Sequence, residues 1–101
     1  MDVGFAWDAA KSESNLRERG FDFEFASLVF ADLTLERDDA RRDYGERRIV
    51  AIGVADGIHL AVVYTDRRIG RSGIERRIIS ARRASRKERG VYEAAVQAQS
   101  A

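Results

Sequence analysis

RRIVAIGVADGIHLAVVYT, residues 47–65, sets two β-branched apolar runs on either side of the dipeptide Asp56-Gly57. An Asp-Gly pair between such runs is the pattern of a two-residue β-hairpin, whose tight turn needs positive φ at both central positions. Ile49/Ala51 and Val50/Ile52 describe the two faces of the first strand. Leu60/Val62/Tyr64 and Ala61/Val63/Thr65 do the same for the second. The second run is apolar on both faces, so a central strand covered by helix on at least one side is expected.

Downstream of the hairpin, Gly70 and Gly73 mark a turn over residues 68–73, and residues 75–81 read as a third strand. Ser85 and Glu88 have capping-box spacing ahead of a last helix that reaches about residue 99. Upstream, the stretch DDARRDYGE, residues 38–46, is a charged connection, and a short strand is expected over 34–37. Asp8 and Gly20 bracket a helix over 9–19 as N-cap and terminator. Lys11, Asn15 and Arg19 stand four apart on it, which predicts one polar surface line. Asp22 caps a second helix over 23–30 with Phe23, Ala26 and Phe30 toward the core, although the alternating large residues also fit a strand. VGFAW, residues 3–7, reads as an entry strand with Val3, Phe5 and Trp7 on one side. The sum is a single α+β domain over 1–101, a small mainly antiparallel sheet flanked by N-terminal helices and a C-terminal helix.

Composition narrows the setting. Hydrophobic residues at 45% and charged residues at 35% describe a soluble globular chain, and no apolar run approaches the ~20 residues of a membrane span. MDVGFAWDAAK starts acidic and lacks the features of a secretory leader, and there is no cysteine, so a cytoplasmic protein is expected. The formal net charge is +1, yet residues 67–90 carry ten Arg/Lys against Glu75 and Glu88 alone. Residues 1–35 are acidic on balance. One pole is thus suited to a polyanion or an acidic partner.

The order of several segments now resembles a known family. FAWDAAKSESNLRERGFDFEFASLVF, ERRIVAIG, LAVVYTDR and RRIISARRASRKERGVYE are together similar to the BrnT toxin family of bacterial type II toxin–antitoxin systems. The resemblance implies a RelE-like fold and a ribonuclease that inhibits translation. It implies a cognate antitoxin with a ribbon-helix-helix module, a two-toxin two-antitoxin complex, and contact with operator DNA only through that antitoxin. Relatives commonly end the first helix with lysine, histidine and glycine, whereas this chain reads Glu18, Arg19, Gly20. If that histidine shuttles protons, either another group replaces it or the activity is weakened; if its role is electrostatic or structural, Arg19 can stand in for it.

RNA cleavage needs an activated 2′-hydroxyl, stabilisation of the phosphoryl charge, and protonation of the departing 5′-oxygen. No cofactor is implied, and no metal-ligand spacing is evident. Guanidinium groups suit the phosphate task, and Arg77 and Arg82 are the leading pair. Regular alternation puts them on opposite faces, so a bend near Ser80–Ala81 is required if they share a phosphate. Lys11 and Arg19 are expected at the border of the same cleft. Glu46 is a candidate general base, with a salt bridge to Arg77 or Arg48 as its structural role. Asn15, Trp7, Tyr64, Arg83, Arg86 and Lys87 are candidate RNA contacts. For Trp7 and Tyr64 ring packing is the structural alternative, and Tyr64 is also a possible proton donor. His59, the single imidazole, lies outside the family's histidine position. Two other readings stay open: a catalytically silent toxin fold that binds an antitoxin or RNA, and a general nucleic-acid structural protein. An open cleft holding Arg77, Arg82 and Glu46 favours catalysis, and a broad convex basic face favours binding.

Overall fold

A computed structural model describes residues 2–40 and 45–100 of the chain, so 41–44 of the charged connection lie outside the described residues. The hairpin forms where expected. Strands β3 (Ile49–Ala55) and β4 (Ile58–Ile69) pair antiparallel, with Ala55 opposite Ile58. Asp56 and Gly57 take φ values of 48° and 80°, the two left-handed positions of a type I′ turn. Strand β5 (Gly73–Arg83) returns beside β4. Both strands run further than the sequence suggests, leaving residues 70–72 as the turn. Cross-strand pairs explain the extension: Arg76 faces Asp66 and Arg67 faces Glu75, with ion-pair distances of 2.8 and 3.0 Å.

Strand β1 (Asp2–Trp7) lies parallel to β5, and β2 (Leu35–Asp38) lies antiparallel to β3. The order β1-β5-β4-β3-β2 makes β4 the middle strand of a five-stranded, mostly antiparallel sheet. The fold is α+β, with helices against both faces.

On one face, Phe21, Phe23, Ala26 and Val29 pack on Leu60, Val62, Ile78 and Ala81. These come from the segment that follows helix α1 (Ala9–Arg19) and from α2 (Phe23–Ala26), which tightens into a 3-10 turn over Ser27–Ala31. The sheet accepts that turn closely because residue 53 is glycine. A Cβ there would stand 2.9 Å from the Val29 Cβ. On the other face, helix α3 (Arg86–Ser100) lays Tyr92 and Val96 over Val50, Ile52, Ala61 and Val63. The capping box forms, with Ser85 N–H donating to Glu88 Oε1 at 2.8 Å and Glu88 N–H to Ser85 Oγ at 3.1 Å. The Tyr92 hydroxyl donates to the Leu33 carbonyl, and His59 pairs with Glu93. Among the described residues, no helix is long and apolar enough to cross a membrane.

Helix α1 departs from the expected polar line. Asp8 caps it, accepting from Lys11 N–H, but its buried residues are Ser12 and Asn15. Ser12 Oγ accepts from Phe23 N–H at 3.0 Å, and Asn15 Nδ2 donates to the Phe21 carbonyl at 2.9 Å. The helix uses this polar side to tie down the chain that follows it. Asn15 is therefore an interior brace, and Lys11 and Arg19 are exposed on either side of it along the helix.

Candidate active site

The decisive local feature is a β-bulge in β5. Val63 stands opposite Ser80 and Tyr64 opposite Ile78, so Ile79 is an extra residue. A bulge keeps its two residues on one side of the sheet and resets the alternation beyond it. Arg77, opposite Thr65, and Arg82, opposite Ala61, consequently face the same side as Val63. The irregularity expected near Ser80–Ala81 is present, and the change of parity occurs at Ile79. The two positions are separated by the span of Ala61–Thr65, roughly 13 Å of strand. Arg77 and Arg82 line different cavities along this face.

Two shallow cups lie along this face. The first gathers Lys11, Glu46, Arg48 and Arg77 beside Asp8 and the bulge residue Ile79. Lys11 arrives from the first turn of α1, which is held by the Asp8 cap. Glu46 stands ahead of β3 rather than within it, and its Oε2 lies 3.9 Å from Arg48 Nε. Arg77 is exposed, and Glu46 and Thr65 also share a neighbouring cavity with it. A carboxylate, an ammonium and guanidinium groups thus border one small space. That set can accept a proton, donate one, and neutralise phosphoryl charge.

The second cup gathers Arg19, Arg37 and Arg82 around Ser80, Val50 and Val63. Strand β1 pairs with β5 only as far as Ile78, so the edge beyond is left to α1. Arg19 Nη1 donates to the Ala81 carbonyl on that edge at 2.7 Å and to Asn15 Oδ1 at 3.3 Å. Arg82 makes a two-pronged contact with Glu88, at 2.7 and 2.9 Å. Arg37 Nη2 reaches the same carboxylate at 3.1 Å. Glu88 is held at about pKa 2, chiefly by its hydrogen bonds from Arg82 against the cost of burial, with Ser85 N–H and Arg37 assisting.

Sequence reasoning missed Arg37 and the reach of Glu88 beyond its cap; Arg48 was expected only as a salt-bridge partner of Glu46, and it takes that place. Arg37 was legible as an alternate position on a short edge strand, but its strand had no partner until the sheet was assembled. Glu88 was visible as a cap, with no sign that its carboxylate also reaches two strands.

The remaining expected contacts sit elsewhere. Arg83, one residue past Arg82, faces the opposite side and lines a cavity with Asp22 and Asp56. Trp7 packs against the core formed with the N-terminal helices. Tyr64 is mid-strand and buried; it donates to Glu36 Oε1 at 3.0 Å, and its pKa is raised by burial and then by that bond. It belongs to the face away from the cups. Arg86 and Lys87 open α3 outside the cups, Lys87 on a groove of about 640 Å³ between β2 and α3. Leu35, Ile52 and Val91 make that groove mainly apolar; it shares Arg37 with the second cup, and Glu88 in its wall reaches Arg82. His59 is committed to Glu93 and lies edge-on to the Tyr92 ring, where it helps seat α3.

A family model described as the ribonuclease toxin BrnT of type II toxin–antitoxin systems matches residues 7–88. The chain belongs to the BrnT family. The match spans every residue that lines the two cups, from Asp8 to Arg82, and ends at Glu88. Comparison with individually curated proteins gives no match. Membership brings with it a ribonuclease toxin and an antitoxin partner at the level of the family. In this BrnT chain, the Arg19 guanidinium grips the β5 edge at the Ala81 carbonyl.

Proposed function

We propose that the protein is a metal-independent endoribonuclease whose RNA strand lies across the α3-side face of β5, one phosphate in each cup. The observation that carries this reading is the Ile79 bulge, which turns Arg77 and Arg82, both exposed, onto the same face of β5. The scissile phosphate belongs in the first cup, because there a carboxylate and an ammonium accompany the arginines. Glu46 accepts the 2′-hydroxyl proton as that oxygen attacks phosphorus. Arg77 neutralises the charge that builds on the non-bridging oxygens. The bond to the 5′-oxygen breaks, and Lys11 supplies its proton. The products are a 2′,3′-cyclic phosphate and a 5′-hydroxyl. The second cup holds a flanking phosphate on Arg19, Arg37 and Arg82, which supplies position.

Cleavage of free RNA in this way stops translation. Neutralisation falls to a ribbon-helix-helix antitoxin in a two-toxin two-antitoxin complex, which alone contacts operator DNA. The test is incubation of antitoxin-free protein with end-labelled RNA in chelator, followed by mapping of product ends. Cyclic phosphate ends that disappear with a folded Arg77→Ala variant support the assignment. Intact RNA beside demonstrably folded protein rejects cleavage of free RNA.

One observation favours the runner-up, a catalytically silent toxin fold that binds an antitoxin or RNA. Arg19 in the family's histidine place is engaged by Ala81 O and Asn15 Oδ1, so it acts as a fixed cation. On that reading the protein retains RNA in both cups and leaves it uncut.

A further inference from the structure

Glu88 joins three elements through one carboxylate. Oε1 accepts from Arg82 Nη1 on β5 at 2.7 Å and from Ser85 N–H ahead of α3 at 2.8 Å. Oε2 accepts from Arg82 Nη2 at 2.9 Å and from Arg37 Nη2 on β2 at 3.1 Å. Its side chain is 15% exposed, against 45% for Arg82 and 56% for Arg37. The carboxylate is thus the shielded centre, and the guanidinium groups are the accessible rim.

A helix cap needs one acceptor for one N–H. Glu88 does more than that need requires. A guanidinium gripped along one edge is fixed in plane and direction, while its long aliphatic stem would otherwise sample many rotamers. Three arginines crowding one cup would also repel each other. A single carboxylate between two of them offsets that repulsion and leaves a net positive cup.

We propose that Glu88 is a positioning residue: by holding Arg82 and Arg37 it sets the register of the RNA strand in the second cup, and so selects which phosphate enters the first. The inference rests on the reading of Arg82 as an RNA contact. Removing the carboxylate charge weakens the hold on both arginines and makes the cup more cationic. RNA then binds as tightly as before or more tightly, but in several registers, and fewer of these place a phosphate for cleavage.

The experiment compares Glu88→Gln, Ser85→Ala and Arg82→Ala with the parent protein on one end-labelled RNA. It reads kcat, RNA affinity, the ladder of product ends, and thermal unfolding. Glu88→Gln is expected to lower kcat on the order of ten- to a hundredfold, with affinity kept or raised and the ladder broadened. Ser85→Ala removes the other half of the cap, and is expected to lower the unfolding midpoint without changing the ladder. Arg82→Ala is expected to weaken RNA binding. An unchanged kcat and ladder in Glu88→Gln, beside a weakened Arg82→Ala, overturns the positioning role alone. The same broadened ladder in Ser85→Ala also overturns it, since helix stability would then be the cause. An unaffected Arg82→Ala removes the reading of the second cup itself, and the proposal with it.

Discussion

Arg76 and Arg77 are neighbours on β5, and the sheet sends them to opposite fates. Arg76 faces the N-terminal helices. Its guanidinium grips Asp66 with two bonds of 2.9 and 2.8 Å and stacks on the rings of Tyr64 and Phe30, 4.1 and 4.8 Å from their centroids. The Phe30 ring in turn stacks on Phe5. Arg77 faces the other way, into the open cup with Lys11 and Glu46. An arginine satisfied on every side stabilises the fold, and one left at a rim among mixed charges is available for a phosphate. The comparison predicts a double dissociation. Arg77→Ala should lower RNA cleavage about 10²–10³-fold, the usual loss for one preorganised charge-stabilising donor, with little change in thermal unfolding. Equal loss of stability in this variant would break the contrast.

Arg76→Ala should show the reverse. It strands Asp66, removes two cation–π contacts, and is expected to cost about 1–3 kcal/mol. For a domain of this size, that lowers the melting midpoint by about 4–8 °C per kcal/mol. Cleavage per folded molecule should be retained below the transition. Selective loss of activity at an unchanged midpoint would show that the inner arginine serves chemistry as well.

The two arginines also show what a sequence discloses and what it withholds. Asp56-Gly57 and the flanking apolar runs disclosed the hairpin because turn geometry and alternation are local. Asp8, Gly20, Ser85 and Glu88 disclosed helix ends for the same reason. The site was legible in its residue types and only partly in its grouping. A pattern of period two assigns Arg77 and Arg82 to opposite faces, and one unpaired residue, Ile79, reverses that assignment. No local signal marks the bulge within RIISAR. Asn15 failed differently: its spacing belonged to a surface line, and its burial depends on the Phe21 carbonyl folding back beneath it. Arg37 needed β2 to find β3 before it could meet Arg82. These are contacts between distant segments, and only the assembled sheet creates them.

The second cup offers a smaller test of the same contrast, between charge used for stability and charge kept for binding. Glu88 titrates near 2 in the folded protein, below its ordinary value of 4.5. A depressed carboxylate contributes stability that is fully present above the unfolded value and is lost as pH falls through the folded one. Its partners remain partly exposed, so solvent screening holds the contribution to about 1–2 kcal/mol. Denaturant unfolding of the parent protein and Glu88→Gln should differ most at neutral pH. The gap should narrow between about pH 4.5 and 2. A gap that is constant with pH would mean that Glu88 acts through packing and the helix cap, and that its ion pairs with the cup are energetically neutral.

The smallest expected effect separates α3 as a helix from α3 as the carrier of Glu88. Gly90 lies in the helix interior, exposed, and a Cβ added there meets no atom within 4 Å. Gly90→Ala should therefore stabilise the protein by up to about 1 kcal/mol, through the lower backbone entropy of the unfolded chain. Neither cup includes residue 90, and the grip of Glu88 on Arg37 and Arg82 lies one turn or less toward the helix start. Cleavage rate and product ends should be unchanged while the unfolding midpoint rises. A faster or slower cut in this variant would mean that motion of α3 as a whole reaches the arginines. The second cup would then be a movable part of the site, in contrast to the first, which is built on the bulged strand and the cap of α1.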